Sequence, residues 1–199
     1  YKISGSAFAG KAGYNIPGAP MKLRVGAEYD YASGDKDPGT AGTPDEKVKT
    51  FFNLFPTNHD KLGYMDLVAW RNVKAWNLNG SIEPMDNLKV LVSYWSFKLA
   101  AKEDAWYGAA NWNNTPAAGI NAPRPPSAGT SANAKVDIGS EIDVVVSHKL
   151  NRAVSCELGL SRFMVGDIAK DYFATTTLVT GAEKEADQDW AYVSLTATF

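Results

Sequence analysis

The closing segment WAYVSLTATF constrains this chain more than any other stretch. Drawn as a strand, it puts Ala191, Val193, Leu195, Ala197 and Phe199 on one side. Trp190, Tyr192, Ser194, Thr196 and Thr198 fall on the other. A soluble protein gains nothing from finishing on such a strand with a terminal Phe. A membrane barrel does, because one face meets lipid, the other meets water, and closure leaves no sheet edge.

The pattern recurs upstream. In 21–31, MKLRVGAEYDY, Met21, Leu23, Val25, Ala27, Tyr29 and Tyr31 oppose Lys22, Arg24, Gly26, Glu28 and Asp30. In 136–150, Val136, Ile138, Ile142, Val144, Val146 and Leu150 oppose Asp137, Glu141, Asp143 and Lys149. Segment 76–82 sets Trp76, Leu78 and Ile82 against Asn77, Asn79 and Ser81. With 1–12, 88–99, 154–165 and 188–199, period-two reading predicts seven strands. Most are about as long as a tilted strand needs to cross a bilayer.

The intervening stretches run short, long, short, long: 14–20, 32–70, 83–87, 100–135, 151–153 and 166–187. Outer-membrane barrels have short periplasmic turns and long external loops. Counting back from a periplasmic C-terminus, every short stretch falls on the periplasmic side and every long one outside. The reading is therefore all-β, a transmembrane antiparallel up-and-down β-barrel in the bacterial outer membrane, with residues 1–199 forming one barrel domain. Seven is odd, whereas bacterial single-chain barrels have even strand numbers. The chain is thus expected to be the C-terminal portion of a larger barrel, with N-terminal strands and an export signal upstream. WAYVSLTATF also resembles the terminal signal read by barrel-assembly machinery, the partner expected during insertion.

Composition fits and excludes other classes. Hydrophobic residues make up 45%, and no apolar run reaches the roughly 18–20 residues of a membrane helix. Seventeen Gly and ten Pro favour strands punctuated by turns. A net charge of −2 makes nucleic acid an unexpected partner, and a lone Cys156 rules out an intrachain disulfide. His59 falls in a loop, while His148 and Cys156 are both outward by parity, so no convergent catalytic set is expected and the protein reads as a non-enzyme. No cofactor or metal is expected: Asp30, Asp35 and Asp37 fit Asx turns better than an incomplete Ca²⁺ loop.

Parity also sorts the side chains. The predicted pore-lining set is Lys22, Arg24, Glu28, Asp30, Asn77, Asn79, Lys89, Asp137, Glu141, Asp143, Lys149 and Glu157, with Lys2 on the same phase. Tyr29, Tyr31, Trp76 and Tyr94, with Tyr1, suit an external aromatic girdle, and Phe199 a periplasmic one. Arg162 breaks parity on the lipid side; it either snorkels to lipopolysaccharide phosphates, the favoured reading, or turns inward at a bulge. The stretch FFNLFPTNHDKLGYMDLVAW is too apolar for a freely solvated loop and is expected to fold over the lumen or against a neighbouring loop.

Between residues 28 and 112 the wording becomes specific. EYDYASGDKDPG, TFFNLFPTNHDKLGYMDL and KEDAWYGAANW resemble loop signatures of the alginate-export family of outer-membrane barrels. LGLSRFMVGDIAKD followed by DWAYVSLTATF resembles that family's closing hairpin. The resemblance implies a monomeric barrel of about eighteen strands and export of an anionic polysaccharide through a strongly basic lumen. The inward face read here is mixed in sign, with 136–150 mainly acidic and Lys22, Arg24 and Lys89 forming a basic stripe. The expectation is a porin-like channel passing small anionic or polar solutes, or an exported polysaccharide, by passive diffusion. The alternative is a structural barrel whose plugged lumen holds a partner protein. In either case outer-membrane lipid and lipopolysaccharide surround it.

Overall fold

A computed structural model describes residues 2–37, 47–54, 59, 61–108, 135–168, 170 and 187–198. Its strands are β1 (Lys2–Ile3), β2 (Ala7–Asn15), β3 (Arg24–Ala32), β4 (Lys47–Val48), β5 (Val73–Met85), β6 (Leu88–Leu99), β7 (Asp137–Lys149), β8 (Val154–Val165) and β9 (Gln188–Ala197). Seven of them make one sheet in the order β2-β3-β5-β6-β7-β8-β9, every neighbour antiparallel. The sheet is up-and-down and open: β2 and β9 each pair on one side among the described residues. β1 and β4 form a separate parallel bridge, Lys2 beside Lys47 and Ile3 beside Val48, which ties the first residues to the first long connection. Segment 1–12 is thus divided, and Lys2 lies off the main sheet.

The connections 16–23, 86–87 and 150–153 are short, and 33–72, 100–136 and 166–187 are long. The short and long ones lie at opposite ends of the strands, as the alternation predicts.

Two further departures from the sequence reading, at the start of β3 and the start of β7, each have a backbone reason. Met21 and Lys22 have φ of 56° and 51°, in a 3-10 turn over Pro20–Lys22, so β3 begins only at Arg24. Lys22 is consequently a turn residue and not a member of the strand face. In β7, Lys98 pairs with Asp137 while Phe97 pairs with Gly139, leaving Ile138 as the extra residue of a bulge. Gly139 has φ of 146°, and a Cβ there would press on Met164 O and the Phe163 ring. The bulge reverses parity at its start: Asp137 sits opposite Lys98, and Ile138, 1% exposed, joins the core.

The two faces of the sheet have different coverings. Among the described residues one carries no connection, and it exposes Tyr14, Val25, Trp76, Leu78, Val92, Tyr94, Ile142, Leu158, Leu160, Val193 and Leu195. Leu78 is 61% exposed and Val193 73%. The other face is overlaid at the long-connection end by the described residues 50–54, 59, 61–72 and 100–108. There Leu62, Val68 and Trp106 pack with Ala75, Trp95, Phe97, Ile138, Phe163 and Val165, flanked by Phe51, Met65, Leu67 and Trp70. Trp95 and Phe97 of β6 stack with each other, and Phe97 stacks with Phe163 of β8, at centroid separations of 5.7 and 6.4 Å. The described residues of the apolar loop stretch, 51–54, 59 and 61–70, therefore fold over the sheet and pack against the neighbouring loop.

Candidate functional site

The register lays the covered face out in cross-strand rows. Nearest the long connections is Asp30, Ala75, Phe97, Gly139 and Val165. Next come Lys11, Glu28, Asn77, Trp95, Glu141 and Phe163, then Gly26, Asn79, Ser93, Asp143, Ser161 and Trp190. Below these lie Arg24, Ser81, Leu91, Val145, Gly159 and Tyr192, then Lys89, Ser147, Glu157 and Ser194. Lys149, beside Ser155, ends the series. Of the twelve sequence-predicted lining residues, all except Lys22 and Asp137 share this face.

The register does not bring them to a common solvent. Glu28, Asp30, Asn77, Glu141 and Asp143 are buried, Glu141 and Asp143 completely. Lys11 Nζ lies 2.6 Å from Glu28 Oε1. Asp143 accepts from Ser93 Oγ at 3.0 Å and Ser161 Oγ at 2.6 Å. Glu141 Oε1 accepts the backbone N–H groups of Tyr64 and Met65 at 2.6 and 2.9 Å, so a turn of the long loop sits directly on it. Beside that turn, His59 meets the rings of Tyr64, Trp190 and Tyr192 edge-on at 5.0–5.3 Å. Tyr192 lies over Gly159, where a Cβ would collide with the ring, and its hydroxyl donates to Glu157 at 2.5 Å.

At the short-turn end the face is open and basic. A recess of about 430 Å³ is lined by Asn15, Lys22, Arg24, Ser81, Glu83 and Lys89, among others. The Arg24 guanidinium lies across Gly13, where a Cβ would collide with it. Among the described residues neither Arg24 nor Lys89 has a carboxylate within ion-pair distance. Lys22 reaches Glu83 at 2.8 Å and Asp86 at 3.6 Å, and the hydrogen bond it donates to Glu83, first, then the charge of Glu83, hold the ammonium pKa above its ordinary value.

The long connections are knitted together by groups that parity does not reveal. Asp104, 4% exposed, accepts from Asp35 N, Thr50 Oγ1 and Tyr107 OH at 2.8, 2.5 and 2.9 Å. Asn72 donates to Ala101 O and Ala105 O and accepts from Ala101 N. The Arg71 guanidinium stands 4.9 Å from the Phe52 ring centroid and 4.0 Å from that of Tyr107. Burial lowers the Arg71 pKa and, as the leading cause, raises that of Tyr107. Asp35 takes the N–H of Asp37 at 3.0 Å, the Asx-turn use expected of it. Among the described residues no group of His, Cys, Asp and Glu is arranged to hold a metal.

On the bare face Tyr29 packs on Trp76 with centroids 4.4 Å apart, and Tyr31 and Tyr94 share the face; Phe199 lies outside the described residues. Arg162 stays on that face with no bulge, its guanidinium 3.2 Å from Asp187 and 3.5 Å from Asp189. Two local carboxylates thus meet the charge that sequence reading assigned to lipopolysaccharide phosphates. His148 and Cys156 are direct cross-strand neighbours there, a pairing that parity left unspecified, and the imidazole Nε2 is 2.9 Å from Asn87 Nδ2.

The signal for the overlay was present in LVSYWSFKL of β6. It is apolar in both phases, the mark of a strand covered on two sides. Asp104 and Asn72 had no such signal, because their partners are brought in by loop geometry.

A family model described as alginate export matches residues 1–177. The comparison with curated proteins finds no match.

Proposed function

Because this chain belongs to the alginate export family, we propose that it is the C-terminal part of an outer-membrane channel. The channel passes anionic or polar solutes, or an exported polysaccharide, by passive diffusion along the covered face of the sheet. The observation that carries this reading is the difference between the faces. A bare face with so many exposed large apolar side chains is stable only against lipid or a partner. Strands of 9 to 13 residues suit a tilted crossing, which needs about 9–11. Lipid and lipopolysaccharide then cover the bare face, and barrel-assembly machinery inserts the protein.

Along the other face the path changes character. Arg24 and Lys89 around the open recess draw anions to the periplasmic mouth. Farther out, the overlay by 61–72 narrows the path, and Glu28, Glu141 and Asp143 are engaged in hydrogen bonds and an ion pair rather than presented to the solute. This suits an anion-admitting channel better than a uniformly basic conduit. The same overlay favours the second reading, a structural barrel plugged on this side and holding a partner.

Planar-bilayer recordings of the full-length protein test the two. A channel conducts, and Arg24→Glu with Lys89→Glu shifts its ion preference toward cations by several-fold, on the order expected for charged rings in a pore. Polyuronate added to one side then blocks current if polysaccharide is the cargo. A complete lack of conductance supports the plugged scaffold.

A further inference from the structure

We propose that Glu141 is a positioning residue that latches the 62–65 turn across the covered face, and that this turn is the constriction setting what the channel passes. Two backbone donors, Tyr64 N and Met65 N, converge on one carboxylate oxygen, Oε1, at 2.6 and 2.9 Å. Gly63, between Leu62 and Tyr64, has φ of 85°, and a Cβ there would lie 2.5 Å from that same oxygen. Only a glycine lets the backbone come this close. Leu62 is buried to 8% exposure on one side of the turn, and Tyr64 lies edge-on to His59 on the other. The turn is therefore clamped through its backbone to mid-strand β7, not merely resting against it.

Glu141 is inward by parity, and this geometry gives it a use other than touching solute. It converts a long external loop into a fixed part of the wall. The consequence for permeation rests on the channel reading above; the latch itself does not.

The test uses the full-length protein in bilayers, carrying Leu62→Cys in a Cys156→Ser background, with labelling by a bulky maleimide and single-channel conductance measured together. Glu141→Ala removes both hydrogen bonds, and labelling at position 62 rises by about tenfold or more. Glu141→Gln keeps an oxygen acceptor and labels at the parent rate. Gly63→Val, which leaves the strand intact and drives the turn off Oε1, labels fast like Glu141→Ala and decides the matter if Glu141→Ala fails to fold. Slow labelling in every folded variant overturns the latch. Fast labelling with increased conductance supports the proposal in full, whereas fast labelling with unchanged conductance overturns the constriction. A parent protein that conducts nothing refutes the channel reading, and the latch is then judged on labelling alone.

Discussion

Asp143 and Val144 are consecutive in β7 and meet opposite surroundings. Asp143 is sealed between two serine hydroxyls, while Val144 stands on the bare face in the row of Val25, Val92 and Leu160. If that face lies in lipid, Val144→Arg near the midplane costs about 2–4 kcal/mol of insertion free energy, and Leu195→Arg, nearer the short turns, less than about 1 kcal/mol. Asp143→Asn keeps an acceptor for one hydroxyl and costs about 1 kcal/mol. Urea titration of the bilayer-inserted protein ranks the three, and equal costs at 143 and 144 contradict the facing. Asp187 gives a pH-dependent counterpart outside the strands. Its carboxyl accepts Val165 N–H at 3.1 Å, the main reason its pKa falls below the usual 3.8, with Arg162 adding to the effect. A depressed folded value means the tie is fully present above 3.8 and is lost as pH falls through the folded value. Carboxyl NMR titration is expected to place the Asp187 midpoint below 3.8, and a midpoint at or above 3.8 contradicts the tie.

Among the elements, the two long connections depend on each other through Asp104. Asp104→Ala strands two backbone N–H groups, those of Asp35 and Ala105, and two hydroxyls in a buried site, at roughly 1–3 kcal/mol for each group that water cannot reach. The expected result is local: amide exchange at Asp35 and along 47–54 accelerates, while the β5–β8 ladder keeps its protection. Equal acceleration in the ladder would mean that loops and sheet unfold as one unit. This division also separates what was legible in the sequence. Strand number, order and the position of long and short connections follow from period-two patterning and loop length, because a one-residue slip would turn every side chain to the wrong face. The bulge at Ile138 was not legible, since one extra residue reverses parity without disturbing the apolar pattern. Nor was the turn at Met21 and Lys22, whose left-handed backbone sits on residues with no such preference. The covered face was legible as a list of residues but not as a solvent. Which of its acids are sealed depends on where 50–72 folds, and pairs such as Glu141 with Tyr64 are 77 residues apart.

For the whole molecule, the proposed channel requires that the face left bare by the described residues meet lipid and the covered face a lumen. Among the described residues the sheet is open and up-and-down, with β2 and β9 at its edges. Site-directed spin labels placed singly from Glu141 to Val146 in the full-length, bilayer-inserted protein test the assignment most directly, read by power saturation with oxygen and with a water-soluble nickel chelate. Oxygen accessibility is expected to peak at Ile142, Val144 and Val146 and to drop at Glu141, Asp143 and Val145. Loss of that two-residue period, or its appearance in the opposite phase, would contradict the account.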